Sequence, residues 1–542
     1  MSNFIYGIIL LILGYFFYGR LVERILCPDD RPTPATTMND GVDYLVLPKW
    51  KNMLIQLLNI AGVGPVIGVI LGIKFGAIVF LIIPTGCIIG GAVHDMVAGF
   101  MSMRYQGANL THLVQLFTSK KFTLAFSIFL CAILLLVVTV FITTPAQLIE
   151  GQYDNLMKQN EISQVETSQQ TNISNEKTQT DLQIQQINAS TQTPAAKAPK
   201  DYSSLVFWGA VALIFIYYII STLFSIDAII GKFYPIFGLL LLVGTVALFV
   251  TLLIIGHHDP SLFLESEEFK ANLLTTGATP QPIIPCLFVT IACGILSGFH
   301  ATQSPIVART MKSEKEACAT FYGMMIVEGI IAMIWAGAGL AIYNKFPNLM
   351  SKPPAFVLNE ITTFFLGKNL GAVTVVSVII LSITSGDTAL RSLRLSLAEL
   401  LNIKQIEISK RLMITLPLAG IVCLCLWWAN SSEESFRHCW NYFAWANQVL
   451  AAVTLTICTA WLIFERKMAL ITFIPGVFIT FVVTTYICWV SPSHGGPLGL
   501  GMDLTTAMIC AVLVTTCSYV WAITRGIELR HKRHLLLSQK KS

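Results

Sequence analysis

Two apolar spans of this chain break in the middle. One reads NIAGVGPVIGVILG, where Gly62, Gly64 and Pro65 interrupt the run. The other reads GILSGFHATQSPIVA, where Ser297, Gly298, His300, Gln303, Ser304 and Pro305 interrupt it. A helix inside a bilayer tolerates freed backbone N–H and C=O groups only where protein or a watery cavity satisfies them. Paired breaks therefore point to a binding site near the bilayer midplane, between two halves of the chain. A pair of Pro-kinked packing helices is the plainer alternative.

Apolar residues make up 54% of the chain and charged residues only 12%, against roughly 25% charge in a soluble domain. Long apolar runs recur from end to end, so the expected class is an all-α polytopic membrane protein. Thirteen helices are expected, near residues 4–20, 52–73, 77–103, 122–146, 204–225, 233–256, 283–308, 317–343, 370–398, 408–428, 437–463, 468–490 and 504–526. Residues 1–20 lack a basic leader and a small-residue cleavage site, and read as an uncleaved first helix. The 13 cysteines fall mostly inside apolar spans and form no C-x-x-C pair. They read as small packing residues rather than a disulfide or metal framework.

Alternate connecting segments hold most of the 35 Lys and Arg. They include Arg20, Arg24, Arg31, Arg104, Lys120, Arg309, Lys312, Arg391, Arg394, Arg466, and the tail from Arg525 to Lys541. The positive-inside rule then puts the N-terminus outside and the C-terminus inside. These loops also account for the net charge of +5 without a nucleic-acid partner.

Residues 151–202 are rich in Gln, Asn, Thr and Ser, and predict an exposed, disordered outer loop. The stretch PPAFVLNEITTFFL at 353–366 is too short to span and suggests a re-entrant or surface helix over a cavity. The expected division is a first helix and loop at 1–51, a first repeat at 52–257, a second at 258–465, and two peripheral helices with a basic tail at 466–542. Each repeat opens with a broken helix, and five spans separate the two openings. The second repeat is therefore inverted relative to the first, a five-plus-five core in outline.

Ionisable groups within membrane spans are expensive and tend to be functional. His94 and Asp95 follow the first break, and His94 could relay protons because imidazole titrates near neutral pH. His300 lies in the second break, where it could donate to a substrate carboxylate or change protonation. Glu328 stands alone in MMIVEGIIAMI and is either a proton site or a structural hydrogen bond. In SITSGDTALRSLR, Ser382, Thr384, Ser385 and Asp387 offer the oxygen ligands that hard cations such as Na⁺ prefer. Asp387 and Arg391 share a helical face and could pair. Trp440, Asn447 and Gln448 read as packing groups. Walker A, H-E-x-x-H and G-x-S-x-G motifs are all missing from the sequence, so an ATP-driven pump and the common hydrolases are not expected.

The stretches DDRPTPATTMNDGVDYLVLPK, IAGVGPVIG, GGAVHDMVAGFMSMRYQG, GILSGFHATQSP, SGDTALRSLR and WNYFAWANQVLAA together resemble the carbon-starvation protein A (CstA) family. That resemblance spans residues 1–465 outside the polar segment. It implies a bacterial inner-membrane importer for short peptides or pyruvate, coupled to H⁺ or Na⁺. It also implies kinship with the amino acid–polyamine–organocation superfamily. No cofactor, metal or enzymatic activity is expected. A Na⁺-coupled amino-acid-type transporter, a membrane nutrient sensor, a membrane enzyme and a channel are the rival classes.

Overall fold

A computed structural model describes residues 1–41, 43–179, 202–223, 226–276, 280–401, 403, 405 and 407–539. Eleven of its helices are long and apolar enough to cross a membrane, and two bent pairs bring the total to 13. In chain order they are α1 (Ser2–Leu26), α2 (Lys49–Ile60 and Gly64–Phe75), α3 (Val79–Arg104), α4 (Lys120–Gln179), α5 (Ser203–Leu223) and α6 (Ile226–His258). They continue with α7 (Ile283–Thr290, Ala292–Ile295 and His300–Ala308), α8 (Glu314–Lys345), α9 (Pro354–Leu400), α10 (Ile408–Ala429), α11 (Glu433–Phe464), α12 (Leu470–Trp489) and α13 (Leu504–Gln539). The bent helices α2 and α7 each open a set of five, with α12 and α13 following.

Enclosure separates core from periphery. The apolar window of α8 is 89% buried, against 28% for α5 and α13. An apolar helix exposed on one side is what lipid contact requires. The exposed Leu and Ile side chains of α1, α5 and α10, with Trp208 and Trp427, fit that role.

Both breaks are narrower than the composition suggests. In α2 only Ala61–Val63 leave the helix, and Gly64 and Pro65 begin its second segment. Pro65 stands in that segment's first turn, where its missing N–H costs little. In α7 the chain bends at Ile291 and turns extended at Leu296. His300, Gln303, Ser304 and Pro305 all lie in the helical segment beyond, not in the break. Composition blurred this limit because Pro305 removes a donor without ending its helix. The two segments of α2 meet at 53° and those of α7 at 73°.

The polar stretch after residue 150 differs from expectation. α4 runs on through Gln179, so 151–179 are helical where composition suggests a loop; residues 180–201 lie outside the described part. A helix already nucleated by an apolar span propagates into Gln, Glu and Lys at little cost. The 353–366 segment is a helix of its own within α9, set off by Gly367 at φ 72°. That positive φ favours glycine.

One end of the bundle is held by charge and by a short strand-like contact. Arg104 on α3 meets Glu314 on α8 at 2.6 Å, and Arg31 grips Asp29 at 2.8 and 2.7 Å. The Asp29 carboxyl sits below the usual carboxylate range because Arg31 donates to it from side chain and backbone. Leu47 bridges Met311, and Asn52 exchanges hydrogen bonds with Thr310. The loop between α1 and α2 is thereby stitched to the far end of α7.

Close approach depends on two glycines. A Cβ on Gly64 would fall 2.0 Å from Cys293 Cβ, so α2 and α7 cross with no room between them. A Cβ on Gly298 would fall 2.3 Å from both Asn447 O and Ala451 N, which are backbone atoms of α11. Backbone cannot swing aside, so Gly298→Ala should destabilise the protein by about 1–3 kcal/mol. Gly90→Ala, whose Cβ meets nothing nearer than 3.6 Å, is the control. Thermal unfolding in detergent should show a lower midpoint for the first variant only; equal midpoints would refute the packing account.

Candidate functional site

The broken helices free backbone groups, and neighbouring helices satisfy them. In a regular α2 the Leu58 carbonyl would accept from Gly62 N–H. Gly62 instead donates to Ile60 O at 2.8 Å, with Ala61 at φ −77°, ψ 53°, an inverse γ-turn. The freed Leu58 carbonyl accepts from Ser385 Oγ at 3.1 Å and Thr384 Oγ1 at 3.4 Å, both on α9. In α7 the Phe288 carbonyl accepts from Gln448 Nε2 at 2.5 Å. Phe299 N–H donates to Asn447 Oδ1 at 2.6 Å, and Gly298 N–H to Asn447 O at 3.1 Å. Asn447 Nδ2 also reaches Ser297 Oγ at 2.8 Å.

Asn447 and Gln448 are therefore not simple packing groups, as the sequence suggests, but the partners of the second break. The local signal was present: two adjacent amides in an otherwise apolar stretch. Only the fold shows which carbonyl and which N–H they meet.

The two breaks differ in what they leave open. Around Gly298–Thr302 every N–H is taken, by Asn447 or by turns within the segment. At the first break the N–H groups of Val63 and Gly64 donate to no described acceptor. Phe141 of α4 lies over that break, its ring placed where a Cβ on Gly62 would stand. It packs edge-on against Phe299 and Phe443 at 6.0 and 5.8 Å. Trp440 joins Phe443 at 5.7 Å. The sequence gives no sign that Phe141 sits here, because it looks like any other apolar residue of its helix.

Four titratable side chains from three helices meet beside the breaks. His94 Nδ1 lies 2.9 Å from Asp95 Oδ1, and His300 Nδ1 lies 3.0 Å from Asp95 Oδ2. His300 Nε2 lies 3.8 Å from Glu328 Oε2. All four are at most 1% exposed. Among the described residues, His94 Nε2 and both Glu328 oxygens have no hydrogen-bond partner. Asp95 thus sits between two imidazoles, and Glu328 faces one of them across a gap too long for a direct bond. Among the described residues, no three His, Cys, Asp or Glu form a set able to hold a metal ion.

The remaining sequence candidates disperse. Ser382 donates to Phe141 O at 3.3 Å, and Ser304 donates to His300 O within its own helix. Gln303 Nε2 bonds Thr302 and Ser392, leaving its Oε1 unpaired. Asp387 accepts from Ser221 Oγ at 2.7 Å while Arg391 donates to Ser221 O at 2.9 Å. The expected Asp387–Arg391 pairing thus runs through Ser221 of α5. Asp387 does not join the His94–Glu328 group.

Thirteen spans among the described residues, two of them broken and bent, around a buried polar centre make up an all-helical membrane fold of LeuT-like form. The chain belongs to the family described as carbon starvation protein CstA, whose model matches residues 1–158, 210–365 and 355–486. A membrane protein of Haemophilus influenzae is 39% identical over 357 residues, covering 64% of this chain and 92% of that one. The peptide transporter CstA of Helicobacter pylori is 26% identical over 59% of this chain and 48% of its own length. The pyruvate/proton symporter BtsT of Escherichia coli is 26% identical over 64% of this chain and 49% of its own. The chain thus spans about half the length of those two transporters. Among solved structures, MhsT in complex with L-phenylalanine superposes with a TM-score of 0.53 at 11% identity, over 88% of this chain and 99% of that one. The Eremococcus coleocola manganese transporter gives 0.52 at 12% identity, over 91% and 99%. These structures share the fold.

Asn447→Ala removes the acceptor for Phe299 N–H inside the protein. An unpaired buried donor costs about 1–3 kcal/mol, so the variant should unfold at lower temperature in detergent. An unchanged melting curve would mean that α11 does not hold the second break.

Proposed function

We propose that this protein is a secondary active importer of a small carboxylated solute, a short peptide or pyruvate, driven by the inward proton gradient across a bacterial inner membrane. The observation that carries the proton reading is the buried His94–Asp95–His300–Glu328 group beside two broken helices. Two relatives bear the names of a peptide transporter and a pyruvate/proton symporter, which supports the cargo class.

The first break supplies the carboxylate site. Val63 and Gly64 present free N–H groups at the start of the Gly64–Phe75 segment, where the helix dipole favours an anion. Gly62, Gly64 and Pro65 line that site from α2, and Ser297, Gly298, His300, Gln303 and Ser304 place α7 against it. The Phe141 ring closes over it. His300 belongs to both sites: it touches Asp95, and it starts the α7 segment that packs along the first half of α2. A proton passed between Glu328 and the Asp95–His300 pair therefore changes the charge beside the carboxylate. That link is what couples cargo to proton movement.

The loops rich in Lys and Arg place Arg104, Glu314 and the tail after α13 in the cytoplasm, with the N-terminus and residues 151–202 outside. The functional division is 1–51, 52–257, 258–465 and 466–542, with the two inverted repeats in the middle. A Na⁺-coupled reading rests on a different observation. Thr384 and Ser385 hydroxyls converge with the Leu58 carbonyl, and neutral oxygens of this kind suit a hard cation. Ser382 and Asp387 stand on the same helix.

Uptake of labelled pyruvate and dialanine into proteoliposomes, with pH and Na⁺ gradients imposed separately, decides between the readings. Asp95→Asn and Glu328→Gln should each abolish pH-driven uptake while counterflow exchange persists, because exchange needs no net proton movement. Transport that requires Na⁺, ignores the pH gradient and is lost only in Ser385→Ala would install the cation reading instead. The topology has its own test. Single cysteines placed in 151–157 should react with a membrane-impermeant thiol reagent added outside intact cells; reaction only after the cytoplasm is opened would reverse the orientation.

A further inference from the structure

On the proton coupling and orientation proposed above, a proton taken up by the His94–Glu328 group leaves through the half of the molecule closed by Arg104 and Glu314. Four segments pack around that half: the first part of α2, α3, the last segment of α7 and the start of α8. Fixed contacts set their depths. Arg104 pairs with Glu314 at the end, and Asn52 pairs with Thr310. Further in, Phe321 of α8 lies against Gly99 of α3. Glu328 and His300 stand at the inner limit.

Two polar side chains occupy the interval. Gln56 is one turn inward from Asn52, about 6 Å along α2, and Thr320 is about 9 Å along α8 from Glu314 and next to Phe321. Both are 0% exposed. Gln56 Oε1, Gln56 Nε2 and Thr320 Oγ1 have no hydrogen-bond partner among the described residues. Buried polar atoms without protein partners are the usual seats of internal water. An amide and a hydroxyl both donate and accept, so each can hold a water in either orientation.

We propose that waters held by Gln56 and Thr320 form the proton exit path from the His94–Asp95–His300–Glu328 group to the Arg104–Glu314 end. The path rests on the proton-coupled reading above. Each step moves one proton along a hydrogen bond to the next water, which releases another of its own protons onward. Gln56 and Thr320 are never ionised. At the end the proton passes to solvent water beside the Arg104–Glu314 and Arg31–Asp29 pairs.

The test compares wild type, the Gln56→Leu/Thr320→Val double variant and Thr320→Ser in proteoliposomes, with pyruvate and dialanine as probes. Two rates are read: uptake driven by an imposed pH gradient, and counterflow exchange without one. The double variant should lose about tenfold in gradient-driven uptake and stay within about twofold in exchange. Thr320→Ser, which keeps the hydroxyl, should match wild type. A double variant as fast as wild type in both assays overturns the path and leaves the coupling reading standing. Equal loss in both assays also overturns it, since that is what a structural role produces. A wild-type protein that ignores the pH gradient overturns the coupling reading, and the path falls with it.

Discussion

Every other feature of this molecule depends on how two broken helices hide their freed backbone groups. A bilayer offers no water to an unpaired carbonyl or N–H. The protein therefore brings hydrogen-bonding side chains to each break from a helix elsewhere in the fold. Thr384 and Ser385 of α9 serve the first, and Asn447 and Gln448 of α11 serve the second. Because α9 and α11 belong to the same five-helix half, that half braces both breaks. A movement of α9 or α11 would disturb hydrogen bonds at the centre.

Hydrogen bonding separates groups that hold the structure from groups left without a partner. Asn447 is used on both amide atoms and its own carbonyl. Glu328 is used on neither oxygen, and His94 is used on one nitrogen only. A native protein keeps few buried polar atoms unpaired, because each costs about 1–3 kcal/mol. Here several of them gather between α2, α3, α7 and α8. Their concentration beside one broken helix, on the side where the charged end is latched, gives the molecule an asymmetric polar interior inside an otherwise apolar bundle.

Tight crossing is the other requirement. α2 and α7 touch through Gly64 and Cys293, and α7 touches α11 through Gly298. The charged end is closed more loosely by comparison, through side chains such as Arg104 and Arg31 and the single Leu47–Met311 bridge. The centre is thus held by close backbone approach and the charged end by side-chain ion pairs.

Much of the fold was legible in the residues. Apolar run lengths marked thirteen spans, and Gly62, Pro65 and Gly298 marked two helices that could not run straight, because membrane length and backbone geometry are local properties. The limits of the breaks were not legible, since Pro305 sits inside a helix whose carbonyls find other partners. The helix through 151–179 was not legible either, because its propagation depends on the span before it. Of the polar candidates, the sequence singled out His94, Asp95, His300 and Glu328 one by one, as charges in apolar surroundings. Only the tertiary structure decided that these four meet, that Asp387 goes instead to Ser221, and that Asn447 and Phe141 stand at the breaks. Those outcomes depend on how helices far apart in sequence cross, and the chain encodes that crossing in packing rather than in any local pattern.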